Sequence, residues 1–352
     1  MKSLFLIGPP GSGKTAVALG LALKFRKEGY RAGYFKPVGY SRGPAGRQDE
    51  DGLLMRTILD MGEDQETVVP LMASNFYLTS DQDPHLCRER VIGAYETLAE
   101  RYDPVIVDGN NFPWAMASYG LDTISVARDV GGQVVCTIKM QHDFTFDEAL
   151  FFLLHAAARG AGVGGCIFNN IPRPLMAKSK ELYARLMQNF GFNYLGTIPS
   201  RREIHAPTVA EFHEVLGGEI LTGQEHMDRL VEDVLIGAMT IESALDTLRR
   251  ALNKAVIVGG DRADYALAAL ETSTSVLILT GGLYPNLTVI TRAKEKGVPV
   301  ILVHYDTYTT IEKIEEVTRR IKPGDERAVA MALENIEQYC DWPLILKTVR
   351  AG

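Results

Sequence analysis

The chain has 352 residues, of which 46% are hydrophobic and 23% are charged, a balance typical of a globular protein with enough core for two domains. Its formal net charge of -7 gives no overall attraction to nucleic acid or to an anionic membrane, so neither is predicted as a partner. No stretch approaches the roughly 20 apolar residues of a membrane span, and the four cysteines show no C-x-x-C pair or zinc-finger spacing. We therefore expect a cytoplasmic protein with reduced thiols.

The first motif lies in "LFLIGPPGSGKTAVALGLALKF" at residues 4–25. An apolar run predicts a buried strand from Leu4 to Ile7, and the loop after it has the G-x-x-x-x-G-K-T pattern of a phosphate-binding P-loop. Glycines let successive backbone N–H groups point at phosphate oxygens, and the start of the next helix adds favourable partial charge. Lys14 is expected to reach the β- and γ-phosphates, and Thr15 to bind Mg²⁺. The predicted nucleotide-binding residues here are Gly8, Gly11, Ser12, Gly13, Lys14 and Thr15.

Strands and helices alternate along the rest of the first 200 residues. Segments with helical periodicity, such as 88–102 and 146–162, separate short apolar runs that have the composition of buried strands. This alternation implies a parallel sheet with helices on both faces, in which ligands bind at the carboxyl ends of the strands. The further predicted strands lie at 32–40, 103–111, 132–139, 165–171 and 194–200.

Three charged positions near these strand ends are candidates for chemistry. Lys36 follows a strand and precedes a proline, where a functional lysine and a solvated strand end are equally good interpretations. Asp51 belongs to an acidic cluster before a predicted helix, and acidic residues there also stabilise the helix dipole. Asp108 ends a strand that should run beside the P-loop strand. Because this is the usual place for a carboxylate that holds Mg²⁺, we favour a functional role for Asp108.

Asn169 and Asn170 end another predicted strand. An amide offers a donor and an acceptor and can read the edge of adenine or guanine, although asparagine is also common in turns. The sequence has no guanine-specific N-K-x-D motif, and its seven histidines form no catalytic motif. Any second substrate would need a pocket formed by the loops at 41–50 and 72–85.

Taken in chain order, these features resemble the dethiobiotin synthetase family over residues 1–207. The resemblance rests on the P-loop, Lys36 in "YFKPV", Asp51, the pair Asp108-Gly109 and the strand "IFNNI". It implies an α/β domain of the P-loop NTPase type that binds ATP and Mg²⁺. One departure is that the family usually has Glu in an E-G pair where this chain has Asp108.

The resemblance also implies roles for individual residues. In the family, the lysine before proline helps to hold the reacting carbamate and phosphate, acidic side chains bind Mg²⁺, and an asparagine after a late strand reads adenine. Carried over by position, the catalytic residues are Lys14 and Lys36, the metal ligands are Thr15, Asp51 and Asp108, and the adenine-reading residue is Asn169.

The second half resembles a different family. Asp261-Arg262 follow one predicted strand and Thr280-Gly281-Gly282 follow the next, and these residues give the DRTGG domain its name. We predict a smaller α/β DRTGG domain over 208–322 and a helical tail over 323–352. The combination is similar to the N-terminal regulatory part of long phosphotransacetylases, without the domain that transfers the acetyl group.

Two functions follow from these resemblances. The combination favours a Mg-ATP-binding, nucleotide-sensing regulatory module, with a protein partner or a small-molecule effector at the DRTGG domain. The alternative is an ATP-dependent ligase in which a carboxylate or carbamate attacks the γ-phosphate, with Lys14, Lys36 and Mg²⁺ stabilising the developing charge. A cobyrinate-type amide synthetase is not favoured, because the second half offers no credible Cys-His-Glu arrangement.

Two further features leave alternatives open. Arg262 and the glycine-rich strand ends form either a rim that accepts an anion or tight turns that the Asp261-Arg262 pair fastens. The helix containing "LFFLLHAAARGAG" is apolar around much of its circumference, so it is either deeply buried or shared with a second copy. Together with the resemblance, which implies a dimer, this predicts a homodimer in which the DRTGG half contributes to the interface or to its control.

Overall fold

The structure is a computed structural model of the chain, and it describes residues 3–40, 49–74, 76–79, 82–201, 206–315, 317 and 321–351. The chain divides into two compact units. The first unit comprises Met1–Ser200 together with Ile321–Gly352, and the second comprises Arg201–Arg320. The residues that follow the second unit therefore belong to the first.

The first unit is built on a six-stranded sheet in which every strand runs parallel to its neighbours. The strand order is β2-β5-β1-β6-β7-β8, and β3 and β4 pair separately as a two-stranded parallel sheet. The bounds of the strands are Ser3–Ile7 (β1), Gly33–Phe35 (β2), Val38–Tyr40 (β3), Leu71–Ala73 (β4), Val105–Asp108 (β5), Gln133–Lys139 (β6), Gly162–Ile171 (β7) and Tyr194–Pro199 (β8).

Helices cover this sheet, as the alternation of apolar patterns predicts. The α-helices are Lys14–Lys27 (α1), Glu50–Ile58 (α2), Gln65–Val68 (α3), Pro84–Ala99 (α4), Thr123–Val130 (α5), Asp143–Ala158 (α6), Met176–Lys178 (α7) and Ala184–Asn189 (α8). A π-helical turn, Ser179–Tyr183, joins α7 to α8. Aspartates start several helices, as at α5, where the Asp122 side chain accepts from the backbone N–H of Ser125 at 3.0 Å and so satisfies one of the donors that a helix start leaves unpaired.

The single strand predicted at 32–40 is two strands in the structure. Pro37 lacks a backbone N–H and fixes its own φ, and the chain leaves the main sheet between β2 and β3. The backbone N–H of Lys36 instead donates to the carbonyl of Val68 at 2.9 Å. This break holds Lys36 at the end of β2, next to the segment that carries α2 and α3.

The second unit contains a five-stranded sheet with the order β10-β11-β12-β13-β9, in which only β9 is antiparallel. Helices α10, α11 and α12 pack on one face, and α9 and α13 pack on the other. The elements are Val209–Leu216 (α9), Glu219–Thr222 (β9), Asp233–Ile236 (β10), Ile241–Arg250 (α10), Lys254–Gly259 (β11), Ala263–Leu270 (α11), Thr274–Thr280 (β12), Leu287–Lys296 (α12), Val300–Leu302 (β13) and Thr307–Glu315 (α13).

The chain then returns to the first unit as two helices, Glu326–Tyr339 (α14) and Trp342–Ala351 (α15). The predicted fold class is confirmed: a parallel sheet of the P-loop type with helices is followed by a smaller α/β unit. Within the described ranges, no helix is both long enough and apolar enough to cross a membrane.

Candidate functional site

The P-loop strand and the strand that ends in Asp108 are neighbours. Strands β1 and β5 pair in parallel with Leu6 opposite Asp108, and the backbone N–H of Gly109 donates to the carbonyl of Leu6 at 3.0 Å. Because parallel strands end at the same edge of a sheet, this register brings Asp108 beside the loop that follows β1.

The glycines of the P-loop adopt backbone conformations that side chains disfavour. Gly8, Gly11 and Gly13 have φ values of 155°, 71° and 84°. A Cβ on Gly8 would lie 2.0 Å from the carbonyl oxygen of Thr137, and one on Gly13 would lie 2.2 Å from the Asn169 amide nitrogen. The loop therefore requires glycine both for its turns and for its close approach to the ends of β6 and β7.

Lys14 folds back over the loop. Its ammonium donates to the carbonyls of Gly8 at 2.8 Å and Pro9 at 3.1 Å. Burial lowers the pKa of Lys14 to about 8, and the opposing attraction of Asp108 does not restore the ordinary value. A nucleotide phosphate in the loop would supply the negative charge that favours the protonated form of this lysine.

Thr15 and Asp108 are in direct contact. The hydroxyl of Thr15 donates to Asp108 Oδ2 at 2.7 Å, and the hydroxyl of Tyr34 donates to the same oxygen at 3.1 Å. Burial raises the pKa of Asp108, although the charge of Lys36 opposes this effect. Burial also raises the pKa of Tyr34 well above its ordinary value, so Tyr34 serves as a neutral donor that orients the carboxylate.

Lys36 lies in a buried cluster of ions. Its ammonium is 2.9 Å from Asp49 Oδ2 and 2.6 Å from Asp51 Oδ2. Burial acts to lower the pKa of Lys36, but the charges of Asp51 and Asp49 outweigh it and the net shift is upward. Lys36 is therefore a permanent cation rather than a proton donor near neutral pH. Because its ammonium is buried against two carboxylates, Lys36 is not a solvated strand end.

Asp49 completes this cluster in a way that the sequence analysis did not anticipate. It starts α2, where its side chain accepts from the backbone N–H of Gly52 at 2.8 Å, and it is only 3% exposed. The sequence signal was an aspartate directly before a helix, which is also the signature of an N-cap. Asp49 therefore holds Lys36 and caps the helix at the same time.

Asn169 contacts the P-loop itself. Its amide donates to the carbonyl of Ser12 at 2.9 Å, and its Oδ1 accepts from the backbone N–H of Asn170 at 2.9 Å. The structure thus places Asn169 against the phosphate loop, as a brace between β7 and β1. Asn170 has a positive φ of 51°, which fits the turn that ends the strand.

The polar groups fit a magnesium nucleotide better than a metal held by protein alone. No cluster of three or more His, Cys, Asp or Glu side chains suited to a metal occurs among the residues that the structure describes. Mg²⁺ is usually held by one or two carboxylates, waters and substrate phosphates, and the Thr15-Asp108 pair supplies the protein share of such a site.

Several buried polar atoms near the loop have no hydrogen-bond partner in the described part of the chain. They are Ser12 Oγ, Thr137 Oγ1 and Asn110 Oδ1. Thr137 follows the residue of β6 that pairs with Ile7, and Asn110 lies two residues after Asp108. Buried polar atoms are normally paired, but Ser3, Tyr95, Asn170 and Asn335 also carry such atoms, so these atoms do not by themselves indicate a ligand in the P-loop.

A small cavity lies near the loop expected to hold a second substrate. It has a volume of about 110 Å³ and is lined by Leu71, Met72, Ala73, Ser74, Tyr77, Gln82, Met116 and Tyr119. Of the predicted substrate loops, residues 41–48, 75, 80 and 81 lie outside the described residues. The described lining is mainly apolar and aromatic.

The glycine-rich strand ends of the second unit are tied to each other. The N–H groups of Gly281 and Gly282 donate to the carbonyls of Tyr305 at 2.7 Å and Val303 at 2.9 Å. These bonds join the loops after β12 and β13, whose helices α12 and α13 lie on opposite faces of the sheet. Loops that diverge in this way usually open a ligand crevice, but here the two glycine N–H groups are used to hold the loops together.

Arg262 is only weakly engaged at this edge. Its guanidinium is 3.4 Å from Asp264 Oδ1 and 3.4 Å from the carbonyl of Met239, and it lies 5.9 Å from the centroid of the Tyr265 ring. The arrangement therefore favours the structural interpretation of the two glycines and leaves Arg262 available to solvent.

Comparison with known proteins decides the family. A family model described as an AAA domain, AAA_26, matches residues 2–208. The chain belongs to this family. A second model, the DRTGG domain, matches residues 211–317, so the combination predicted from sequence is confirmed.

Curated relatives extend over nearly the whole chain. The phosphate acetyltransferase of Nitratidesulfovibrio vulgaris is 25% identical over 94% of this chain and 49% of its own length. That of Pseudomonas putida is 24% identical over 96% of this chain and 50% of its own length. The ATP-dependent dethiobiotin synthetase BioD of Methanocaldococcus jannaschii is 29% identical over 48% of this chain and 79% of its own length. The chain thus spans about half the length of the phosphate acetyltransferases it matches.

Solved structures show more distant similarity. The cell division ATPase MinD of Pyrococcus furiosus covers 58% of this chain with a TM-score of 0.38 and 14% identity, over 86% of its own chain. The CBS and DRTGG domains of the regulatory region of Clostridium perfringens pyrophosphatase, complexed with diadenosine tetraphosphate, cover 44% of this chain. That match has a TM-score of 0.28 and 19% identity, over 76% of the pyrophosphatase chain.

Proposed function

We propose that this chain binds Mg-ATP at the P-loop and acts as a nucleotide-sensing regulatory module related to the first half of phosphate acetyltransferases. The observation that carries the proposal is the 2.7 Å contact between Thr15 and Asp108, formed next to the buried ammonium of Lys14. A P-loop hydroxyl paired with a strand-end carboxylate is the arrangement that holds Mg²⁺ in P-loop NTPases.

In the proposed complex, the loop N–H groups and the first turn of α1 receive the phosphates. Lys14 leaves the carbonyls of Gly8 and Pro9 for the phosphate oxygens, and Thr15 and Asp108 hold Mg²⁺ directly or through water. Asp51, whose carboxylate lies 2.6 Å from the Lys36 ammonium, is the second carboxylate of the proposed metal site. Asn169 keeps the loop in register with β7.

The regulatory function is favoured over the ligase by the extent of the two similarities. The similarity to phosphate acetyltransferases covers 94% of the chain, whereas the similarity to dethiobiotin synthetase covers 48%. The ligase remains the second candidate because Lys36 stands where the resemblance requires a catalytic cation.

Isothermal titration with ATP, ADP and GTP, each with and without Mg²⁺, tests the proposal. We expect Mg-dependent binding of adenine nucleotides. A phosphate-release assay with and without diaminopelargonate and bicarbonate separates the two functions: release stimulated by both substrates would establish the ligase, and binding without stimulated release supports the sensor. Absence of nucleotide binding by the folded protein would refute both.

We also propose that the protein is a homodimer that pairs through α6. Phe144 and Phe151 on this helix are 79% and 64% exposed, and Leu154 is 46% exposed, which is unusual for residues of this size on one face. If two copies of α6 pack antiparallel about Phe151, Asp147 lies opposite His155, because each is four residues from the centre. The pairing therefore joins the apolar faces and places a carboxylate opposite an imidazole that can donate a hydrogen bond to it.

Sedimentation velocity on the full chain tests the dimer. We expect a dimer at micromolar concentration and a monomer for Phe151→Glu. Leu86→Glu is the matched control, since Leu86 is 62% exposed on α4, away from the proposed face. A monomeric native chain, or a dimer unaffected by Phe151→Glu, would refute pairing through α6.

A further inference from the structure

The helix that begins at the P-loop is enclosed on all sides. Every residue of α1 from Val17 to Ala22 is buried, whereas a helix on the surface of a domain normally shows one polar face. The enclosing element is α14, which returns from the second unit. A Cβ on Gly20 would lie 2.3 Å from the carbonyl oxygen of Ala332 and 2.6 Å from Ile336 Cγ1, so the two helix backbones are in direct contact.

Charged groups continue this contact toward the end of α1. Glu337 Oε1 is 3.2 Å from the ammonium of Lys24 and 2.8 Å from that of Lys27. The Lys24 ammonium also lies 4.5 Å from the centroid of the Trp342 ring. The contact between α1 and the returning segment therefore has a backbone, an apolar and an ionic part.

The returning segment is also fixed to the strand from which the chain leaves the first unit. Gly196 of β8 pairs with Cys340, and the backbone N–H of Asp341 donates to the carbonyl of Leu195 at 2.8 Å. The second unit is thus inserted in the chain between β8 and α14, and the residues that directly follow α14 bond to β8.

We infer that α14 positions the P-loop through α1, with Ile336 as its principal positioning residue. Lys14 and Thr15 are the first residues of α1, and Gly20 follows Thr15 by about 7.5 Å along the helix axis. A rigid helix that is displaced at Gly20 also displaces both phosphate-binding residues. The inference rests on the proposed nucleotide binding.

Ile336→Ala in the full chain tests the inference. Ile336 is 1% exposed, so its truncation loosens the contact with α1. Leu98→Ala is the control, because Leu98 is equally buried but belongs to α4, which packs on α3 and β2. We expect both variants to lose thermal stability, and only Ile336→Ala to bind Mg-ATP more weakly, by about 3- to 30-fold.

Two further measurements distinguish positioning from general destabilisation. Ile336→Leu, which keeps the volume, should restore affinity. In the native chain, Mg-ATP should slow hydrogen exchange in α14, because coupling between two sites is reciprocal. Unchanged affinity in Ile336→Ala would overturn the inference while leaving nucleotide binding intact, as would equal losses of affinity in Ile336→Ala and Leu98→Ala. A native chain that binds no nucleotide would overturn both proposals.

Discussion

The two units present glycine-rich loops at the carboxyl ends of parallel strands, but they use them differently. In the first unit, Gly8 and Gly13 let the loop curl against β6 and β7, and the buried ammonium of Lys14 donates to the carbonyl of Gly8. In the second unit, Gly281 and Gly282 donate their N–H groups to carbonyls of the adjacent loop. The first set of glycines shapes a charged site, and the second fastens one loop to another.

This difference shows that a glycine-rich strand end does not by itself indicate an anion site. A phosphate cradle needs N–H groups that remain available and a cation held near them. The P-loop meets the second condition through a buried lysine, whereas the cation of the second unit, Arg262, has only contacts of 3.4 Å. The comparison therefore predicts large binding effects in the first unit and small structural effects in the second.

The largest effect is expected from Lys14→Ala. Removing a charged donor to phosphate should weaken Mg-ATP binding roughly 100-fold, as measured by isothermal titration. Lys180→Ala is the control, because Lys180 is an exposed lysine of the same unit, in the π-helical turn between α7 and α8. If Lys14→Ala binds ATP as tightly as the native chain, the assignment of the phosphate site is wrong.

Asp108→Asn should affect the metal more than the nucleotide. The substitution keeps the shape of the side chain and the contacts of Thr15 and Tyr34 but removes the charge, so Mg-dependent binding should fall roughly tenfold or more. Binding without Mg²⁺ should change less, because one repulsive charge near the phosphates is lost. Titration of ATP with and without Mg²⁺ measures both values, and equal changes in the two would remove Asp108 from the metal site.

The pKa of Lys14 predicts how nucleotide affinity depends on pH. In the free protein burial lowers this pKa to about 8, and bound phosphate would raise it by favouring the charged form. Affinity is therefore full well below pH 8, is about half its full value at pH 8 and falls further as the pH rises, by roughly tenfold between pH 7.5 and pH 9. Titrations across this range check the slope, and Lys14→Ala should abolish it.

Much of the fold could be predicted from sequence, because the relevant signals are local. The apolar run before the P-loop predicted β1, and the alternation of strands and helices predicted the parallel sheets. The return of residues 321–351 to the first unit could not be predicted in this way, because it depends on the close approach of Gly20 and Ala332, which are far apart in sequence.

Site residues that belong to a sequence motif could be predicted. Site residues that only packing brings to the site could not. Lys14, Thr15 and Asp108 follow from the P-loop pattern and a strand end, and the structure brings them together. Asp49 was not selected, because an aspartate before a helix is usually a cap, and only the structure shows its contact with Lys36. Tyr34 was missed since a tyrosine in a buried strand has no sequence signal for a bond to Asp108.

In the second unit, Gly282→Ala should lower stability by about 1 kcal/mol, because Gly282 has a φ of 66° that other residues adopt at a cost. Both tryptophans, Trp114 and Trp342, lie in the first unit. In Gly282→Ala, the unfolding midpoint measured by circular dichroism should therefore move to a lower denaturant concentration, whereas the midpoint measured by tryptophan fluorescence should not change. Gly62→Ala in the first unit, where a Cβ meets nothing within 4 Å, is the control. A loss of ATP affinity in Gly282→Ala would contradict a purely local role.

The smallest effect is expected from Arg262→Ala. The guanidinium makes only contacts of 3.4 Å and lies over a ring at 5.9 Å, and exposed pairs of this kind contribute about 0–1 kcal/mol. The free energy of unfolding should therefore change by less than about 0.5 kcal/mol. Arg292→Ala is the control. Arg292 lies 2.6 Å from Glu271 and 2.8 Å from Glu295, so its replacement should lower stability more. A second experiment compares denaturant unfolding in phosphate buffer with unfolding in chloride buffer. If phosphate stabilises the native second unit and Arg262→Ala removes that effect, the strand-end loops bind an anion after all, and the contrast between the two units fails.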